Sequence, residues 1–312
     1  MKKILILLCV LFAVGTVIGF YLWNIDGKSE REFRANVMKY PLLSPRILRD
    51  THTDFIFNFL DLRTKLHEKI DPWGTDFALY FEYLPTGTSI NINANNDFYA
   101  ASLFKLPVVM AYFRHKERDP GIDHKTVKLT QDMIDSRYGD LWQKGVGYEI
   151  GMDEAAELAL VKSDNTAAEA LSPAITQEDF DNVYQGLDIN INIASQGAIL
   201  NARNYAAILK ALYFAAVLTR DDSQKILDYL SNTDFNDKLV AGVPAGVKVA
   251  HKIGVIDPDS YRDCGIVYVP NRPYIICMVS KGTEQLAQVR MKEVSQLIYD
   301  NVSSAKSAPV DN

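Results

Sequence analysis

Gly265-Ile266-Val267-Tyr268-Val269, then Pro270-Asn271-Arg272-Pro273, then Tyr274-Ile275-Ile276-Cys277-Met278-Val279: two apolar runs flank a break that holds two prolines. Proline has a preset φ and no N–H for a ladder, so the break reads as a turn and the runs as strands that pair. Gly246 to His251, just before them, reads as a third strand. Near the other end of the chain, Phe77 to Leu84 and Ser89 to Asn93 are two more, joined by Pro85-Thr86-Gly87-Thr88. Strand signals are absent between Asn93 and Pro244, where apolar residues recur at helical spacing.

The central helices are Met152 to Val161, with Asp153 and Glu154 at its positive end, and Asn165 to Leu171. A third follows Thr176-Gln177-Glu178-Asp179, which has the form of a cap before Phe180 and Val183. Ala202 to about Leu218, capped by Asn201, and Ser223 to Leu230 follow. Outside this block, Phe55, Phe59, Leu62, Leu66 and Ile70 mark a helix over Asp54 to Ile70 that Asp71-Pro72-Trp73-Gly74 ends. Glu284 to Val302 is the last helix. Strands at both ends, helices in the middle and no βαβ alternation predict an α+β fold. An antiparallel sheet flanked by helices is joined to an all-helical lobe, and a ligand site belongs in the cleft between them.

The chain has 312 residues, 48% hydrophobic and 23% charged, with a net charge of −6. That balance suits a globular core and gives no reason to expect nucleic acid as a partner. Lys2 and Lys3 precede an uncharged apolar run from Ile4 to Trp23, about the 20 residues that span a bilayer. The run ends in Phe20-Tyr21-Leu22-Trp23, which suits an interfacial anchor better than a cleavage site. The reading is a cytoplasmic tail at 1–3, a signal-anchor (or a signal peptide) at 4–23 and a linker at 24–50. A folded domain at 51–302 and a flexible tail at 303–312 complete it. The domain is expected on the extracytoplasmic side of the cell membrane, single-pass and monomeric, or secreted if the signal is cleaved. Of three cysteines, Cys9 lies in the apolar run, while Cys264 and Cys277 fall on strands expected to pair. A bridge between them is geometrically open, but the plainer expectation is two buried thiols. Five scattered histidines give no metal-ligand spacing, and there is no glycine-rich phosphate loop, so no cofactor is expected.

Three short strings carry the chemistry: Ser102-Leu103-Phe104-Lys105, Ser163-Asp164-Asn165 and Lys252-Ile253-Gly254. On a helix, residues i and i+3 share a face, so the Ser102 hydroxyl and the Lys105 amine can meet. Serine is a weak nucleophile until a base takes its proton, and a lysine can do so only while neutral. The apolar Leu106-Pro107-Val108 turns Lys105 into protein, where burial and a nearby cation such as Lys252 would lower its pKa. Pro107 inside a helix breaks a local rule beside the serine, which hints at function. Each string also has a plainer reading: Ser102 as an N-cap, Ser163 or Asp164 as a cap, and Lys252 as an edge-strand lysine.

In their order and spacing the strings resemble the S-x-x-K, S-D-N and K-T-G set of the penicillin-recognising serine hydrolases, which include class A β-lactamases. The stretch Ser163-Asp164-Asn165-Thr166-Ala167-Ala168 extends the likeness. The resemblance implies Ser102 as nucleophile, Lys105 as proton acceptor, Ser163 as relay to the leaving nitrogen and Lys252 as electrostatic clamp. It assigns Asn165 to the substrate amide or to steadying Lys105, and Asp164 to holding its loop. Gly254 would let the strand lie close to substrate, and the N–H groups of Ser102 and Val255 would form an oxyanion hole.

The sequence departs from the family pattern at two places. Ile253 lacks the hydroxyl that helps hold a substrate carboxylate. Gly197 stands where the water-activating glutamate of an E-x-x-L-N setting belongs, upstream of Leu200-Asn201. Glu169, Glu178 and Asp179 are alternatives, each more simply a helix-surface or helix-start carboxylate. The expectation is a serine hydrolase that acylates on a β-lactam, a cell-wall peptide or a related amide or ester and deacylates slowly. A penicillin-binding or sensor module with little turnover, and a purely structural anchored protein, are the alternatives.

Overall fold

The hairpin is present, and further strands extend it into one sheet. The computed structural model describes residues 31, 34–35, 37–44, 58–184, 187, 189, 192–194, 197–256 and 259–304. The segment expected to anchor the chain, 4–23, lies outside them. No helix among the described residues is long and apolar enough to cross a membrane.

The sheet contains β1 (Phe77–Tyr83), β2 (Thr88–Ile92), β8 (Val249–Ile256), β9 (Ser260–Val267) and β10 (Tyr274–Lys281) in the order β2-β1-β10-β9-β8. Every neighbouring pair is antiparallel. The two ends of the chain therefore meet at the β1–β10 pairing, as the α+β reading requires. One face packs against α1 (Leu60–Ile70) and α8 (Glu284–Ser304) through Leu79, Phe81, Ile276 and Met278. The other face, with Tyr80, Ala250, Ile266 and Ile275, closes on the helical lobe. That lobe holds α2 (Lys105–Arg118), α3 (Met152–Val161), α4 (Asn165–Leu171), α5 (Gln177–Tyr184), α6 (Ala202–Tyr213) and α7 (Arg220–Ser231).

Local chemistry sets the ends of these helices. At α5, Thr176 and Asp179 cap reciprocally: the Thr176 N–H donates to Asp179 Oδ2 at 2.8 Å, and the Asp179 N–H to Thr176 Oγ1 at 3.3 Å. Asn201 caps α6 by accepting from the Asn204 N–H at 2.9 Å. That helix stops at Tyr213, short of the expected Leu218, and α7 starts at Arg220 under its own cap, Thr219.

The structure corrects several expectations. The third strand begins at Val249 and runs through Lys252 to Ile256, because a turn at Gly246 (φ +93°) delays its start. Strands also exist inside the supposedly helical middle. β3 (Phe98–Tyr99), β6 (Asn192–Ala194) and β7 (Gly197–Leu200) form one small sheet, and β4 (Thr126–Lys128) with β5 (Glu149–Gly151) another. They are too short to show alternation. Pro107 breaks no rule: α2 starts at Lys105, so the proline sits in the first turn, where its missing N–H has no intrahelical partner to lose. Cys264 and Cys277 are not thiols. They face each other across β9 and β10 and are joined in a disulfide. The last helix reaches Ser304, so the expected tail is helical at 303–304, and the rest of it lies outside the described residues.

Candidate active site

A short 3-10 turn, Ala101–Phe104, carries Ser102 into the start of α2, which carries Lys105. Ala101 holds φ +49°, a left-handed conformation uncommon for a residue with a Cβ. The Ser102 side chain caps neither the turn nor the helix. Its oxygen instead accepts from Lys105 Nζ at 3.3 Å. Residue i+3 spacing thus does bring hydroxyl and amine together.

Ser163 follows α3 and also sits at positive φ, +54°. Its strained backbone turns both of its oxygens toward the amines. The carbonyl accepts from Lys105 Nζ, and the hydroxyl accepts from Lys105 Nζ at 3.3 Å and from Lys252 Nζ at 2.8 Å. Asn165 Oδ1 accepts from Lys105 at 2.5 Å. Asp164 is the cap of α4, accepting from the Ala167 N–H at 2.9 Å, and it also holds a loop. Its other oxygen takes the N–H groups of Asp140 and Leu141, each at 2.8 Å. Both readings of this aspartate hold together. Gly139, at φ +83°, makes room for it: a Cβ there would lie 2.1 Å from Asp164 Oδ2.

Lys252 does stand on an edge strand, β8, but it is 1% exposed, so its amine faces protein and not solvent. Two residues on, Gly254 lets β8 approach the turn before Ser102. A Cβ at Gly254 would meet the Ala100 carbonyl oxygen at 2.9 Å and Leu103 Cγ at 3.2 Å. Val255 lines both the Ser102 cleft and a neighbouring hollow, which it shares with Ile253, Lys238, Asp237 and Glu284.

The electrostatics follow from burial. Burial pushes Lys105 down to about 8, with Arg137 adding to the depression and the carboxylates of Asp164, Asp135 and Glu169 opposing it. Lys252 is also held well below the ordinary lysine range, first by burial and then by the charge of Lys105. The two buried amines therefore act on each other as the sequence reading expects, and Arg137 adds to the depression at Lys105. A buried hydroxyl flanked by two amines that give up protons readily can pass a proton in either direction.

The cleft, about 480 Å³, is lined by residues that no motif pointed to: Asp135, Arg137 and Tyr138, from an irregular loop. Asp135 is held by Arg137, whose Nε lies 3.0 Å from both carboxylate oxygens. The Arg137 guanidinium keeps the Asp135 carboxyl far below the ordinary range. The Asp135 N–H donates to Thr166 Oγ1 at 3.0 Å, which ties this loop to α4. Among the three alternative carboxylates, Asp179 is buried under Thr176, His115 and Arg118, and Glu178 pairs with Arg118 at 2.8 Å. Glu169 alone of the three lines the cleft. Among the described residues, no group of His, Cys, Asp and Glu has the arrangement of a metal site.

A profile described as the beta-lactamase enzyme family matches residues 61–302. The chain belongs to this family. It is similar to the beta-lactamase of Bacillus amyloliquefaciens, 24% identical over 81% of each protein, and to that of Streptomyces fradiae, 26% identical over 62% of this chain and 69% of that protein. Solved structures share the fold. An acyl-enzyme complex of a PBP-A mutant with penicillin G superposes at a TM-score of 0.71, with 23% identity, over 77% of this chain and 95% of that one. TLA-3 extended-spectrum beta-lactamase gives 0.73, with 16% identity, over 79% and 100%. Family and fold together make the chain a serine hydrolase of the beta-lactamase kind.

Proposed function

We propose that the chain is an exported hydrolase that works through an acyl-serine intermediate on a β-lactam or a related cell-wall amide or ester. Ser102 Oγ attacks the carbonyl carbon, and Lys105 takes its proton. The proton passes through Ser163, between the two amines, to the leaving nitrogen or oxygen. The N–H groups of Ser102 and Val255 hold the developing oxyanion, Lys252 supplies positive charge, Asn165 binds the substrate amide, and Gly254 leaves room for it. The observation that carries this reading is the Lys105 amine, buried and depressed to about 8, at 3.3 Å from Ser102 Oγ. A lysine so placed is neutral often enough at neutral pH to act as a base.

Deacylation is slow in this reading, because Gly197 offers no carboxylate where the family pattern has one. D,D-peptidase and esterase activities fall within its reach. The segment 4–23 holds the chain, as a monomer, at the membrane with the cleft on the extracytoplasmic side. A penicillin-binding or sensing role on the same fold is the second reading, favoured by Gly197 and Ile253. Intact mass spectrometry after exposure to a penicillin and to a D-Ala-D-Ala thioester tests both. An adduct on Ser102 that is lost in Ser102→Ala, with repeated turnover, supports the hydrolase. A permanent adduct supports the sensor, and no adduct with either probe overturns both.

A further inference from the structure

An ester on Ser102 is cleared only if a water meets it and some group takes that water's proton. The cleft holds two carboxylates, Asp135 and Glu169. Asp135 is committed: Arg137 engages both of its oxygens, and the Arg137 N–H donates to Oδ1 at 2.9 Å. Glu169 is not: among the described residues no hydrogen bond or salt bridge engages its carboxylate, whose charge reaches Lys105 and Arg137 only through space. It stands one helical turn after Asn165 on α4, so the two side chains leave the helix on one face. Asn165 Oδ1 receives Lys105 at 2.5 Å, which fixes that face toward the nucleophile. Asn165, Glu169, Ser102 and Lys105 line one continuous space of about 480 Å³, ample for an acyl chain and a water.

We propose that Glu169 is the general base for deacylation, supplied by the S-D-N helix itself; the assignment rests on the acyl-serine reading above. The water oxygen bonds to the acyl carbon while its proton passes to the Glu169 carboxylate. The bond from that carbon to Ser102 Oγ then breaks, and the proton held by Glu169 goes to Oγ. The product leaves as a carboxylic acid that ionises in solvent, and no reactant besides water is consumed. Glu169 is exposed and no hydrogen bond from a described residue pins its carboxylate, so it holds the water loosely. This agrees with hydrolysis that is slow but not absent.

The test is a pulse of penicillin G on the full chain, followed by removal of free drug and intact mass spectrometry over time. Wild type, Glu169→Gln, Glu169→Asp and Glu178→Gln are compared. Wild type forms the adduct and sheds it. Glu169→Gln keeps its adduct about a hundredfold longer. Glu169→Asp falls between them, and Glu178→Gln, whose carboxylate lies outside the cleft, sheds its adduct like wild type. A Glu169→Gln adduct that decays as fast as wild type overturns the assignment. So does a Glu169→Gln protein that never acquires the adduct. If wild type itself is never acylated on Ser102, the acyl-serine reading fails first, and this assignment falls with it.

Discussion

Lys105 and Lys252 lie on either side of one hydroxyl, and burying two full ammonium charges that close would cost more than their hydrogen bonds to Ser163 return. The protein meets this by letting protons leave, which is also the condition for catalysis. Lys105, lowered to about 8, gains neutral fraction as pH rises through that value. Acylation of Ser102 is therefore expected to be slow at pH 6, to climb through pH 8 and then to level off. Stopped-flow or quenched mass spectrometry with a penicillin measures it. Lys105→Ala should cost about 10²–10⁴-fold in acylation and lose the climb. A pH-independent acylation rate would remove Lys105 from the base role. Ile253 makes a second prediction. A hydroxyl donor to a charged carboxylate is worth about 1.5–3 kcal/mol, so Ile253→Thr should raise acylation by carboxylate-bearing penicillins about ten- to a hundredfold. Esters of the same penicillins should gain much less, since their oxygen carries no charge.

The strand β8 and the turn before α2 must touch for Lys252 to reach Ser163, and Gly254 is what allows it. A methyl group there would meet the Ala100 backbone carbonyl oxygen first, at 2.9 Å, and the side chains of Leu103 and Arg262 at 3.2 and 3.3 Å, and the backbone atom cannot swing aside. Gly254→Ala should push β8 away from the Ser102 turn, and a shift of about 1 Å costs on the order of 10²-fold in rate. Acylation should fall while the circular-dichroism spectrum stays that of wild type; unchanged acylation would mean that the strand has slack. At this scale the sequence was legible wherever chemistry is local. Asn165–Leu171 and Met152–Val161 match their helices to the residue, and the caps at Thr176 and Asn201 behave as read. Local rules failed where a distant partner decides. β3, β6 and β7 exist because they pair with each other, and Asp135 and Arg137 belong to the cleft because Thr166 holds their loop. Pro107 misled because the switch from 3-10 turn to α-helix, which no propensity reveals, decides whether it lies inside a helix or at its start.

One sheet with an apolar cluster on each face joins both ends of the chain, and the disulfide crosses it on the face toward the helical lobe. Cys264 pairs in register with Lys252 on one side and with Cys277 on the other, so the bridge braces the strand next to the one that presents the buried amine. Disulfides persist in oxidising compartments, which fits a chain whose first apolar run would carry it across a membrane. Bridge and anchor can be read together from cysteine counts. If the proposed anchor is kept, protein purified from cells, denatured and treated with an alkylating reagent, should gain one label without reductant and three with it, because Cys9 is then the thiol outside the bridge. A chain cleaved after the apolar run loses Cys9 and should gain none without reductant and two with it. Labels on both Cys264 and Cys277 before reduction would mean that they are thiols in the cell and that the sheet is held by packing alone. With the bridge intact, replacing both by alanine, which buries no hydroxyl, should cost about 3 kcal/mol in denaturant unfolding, as expected for a closed loop near this length, 13 residues apart in sequence.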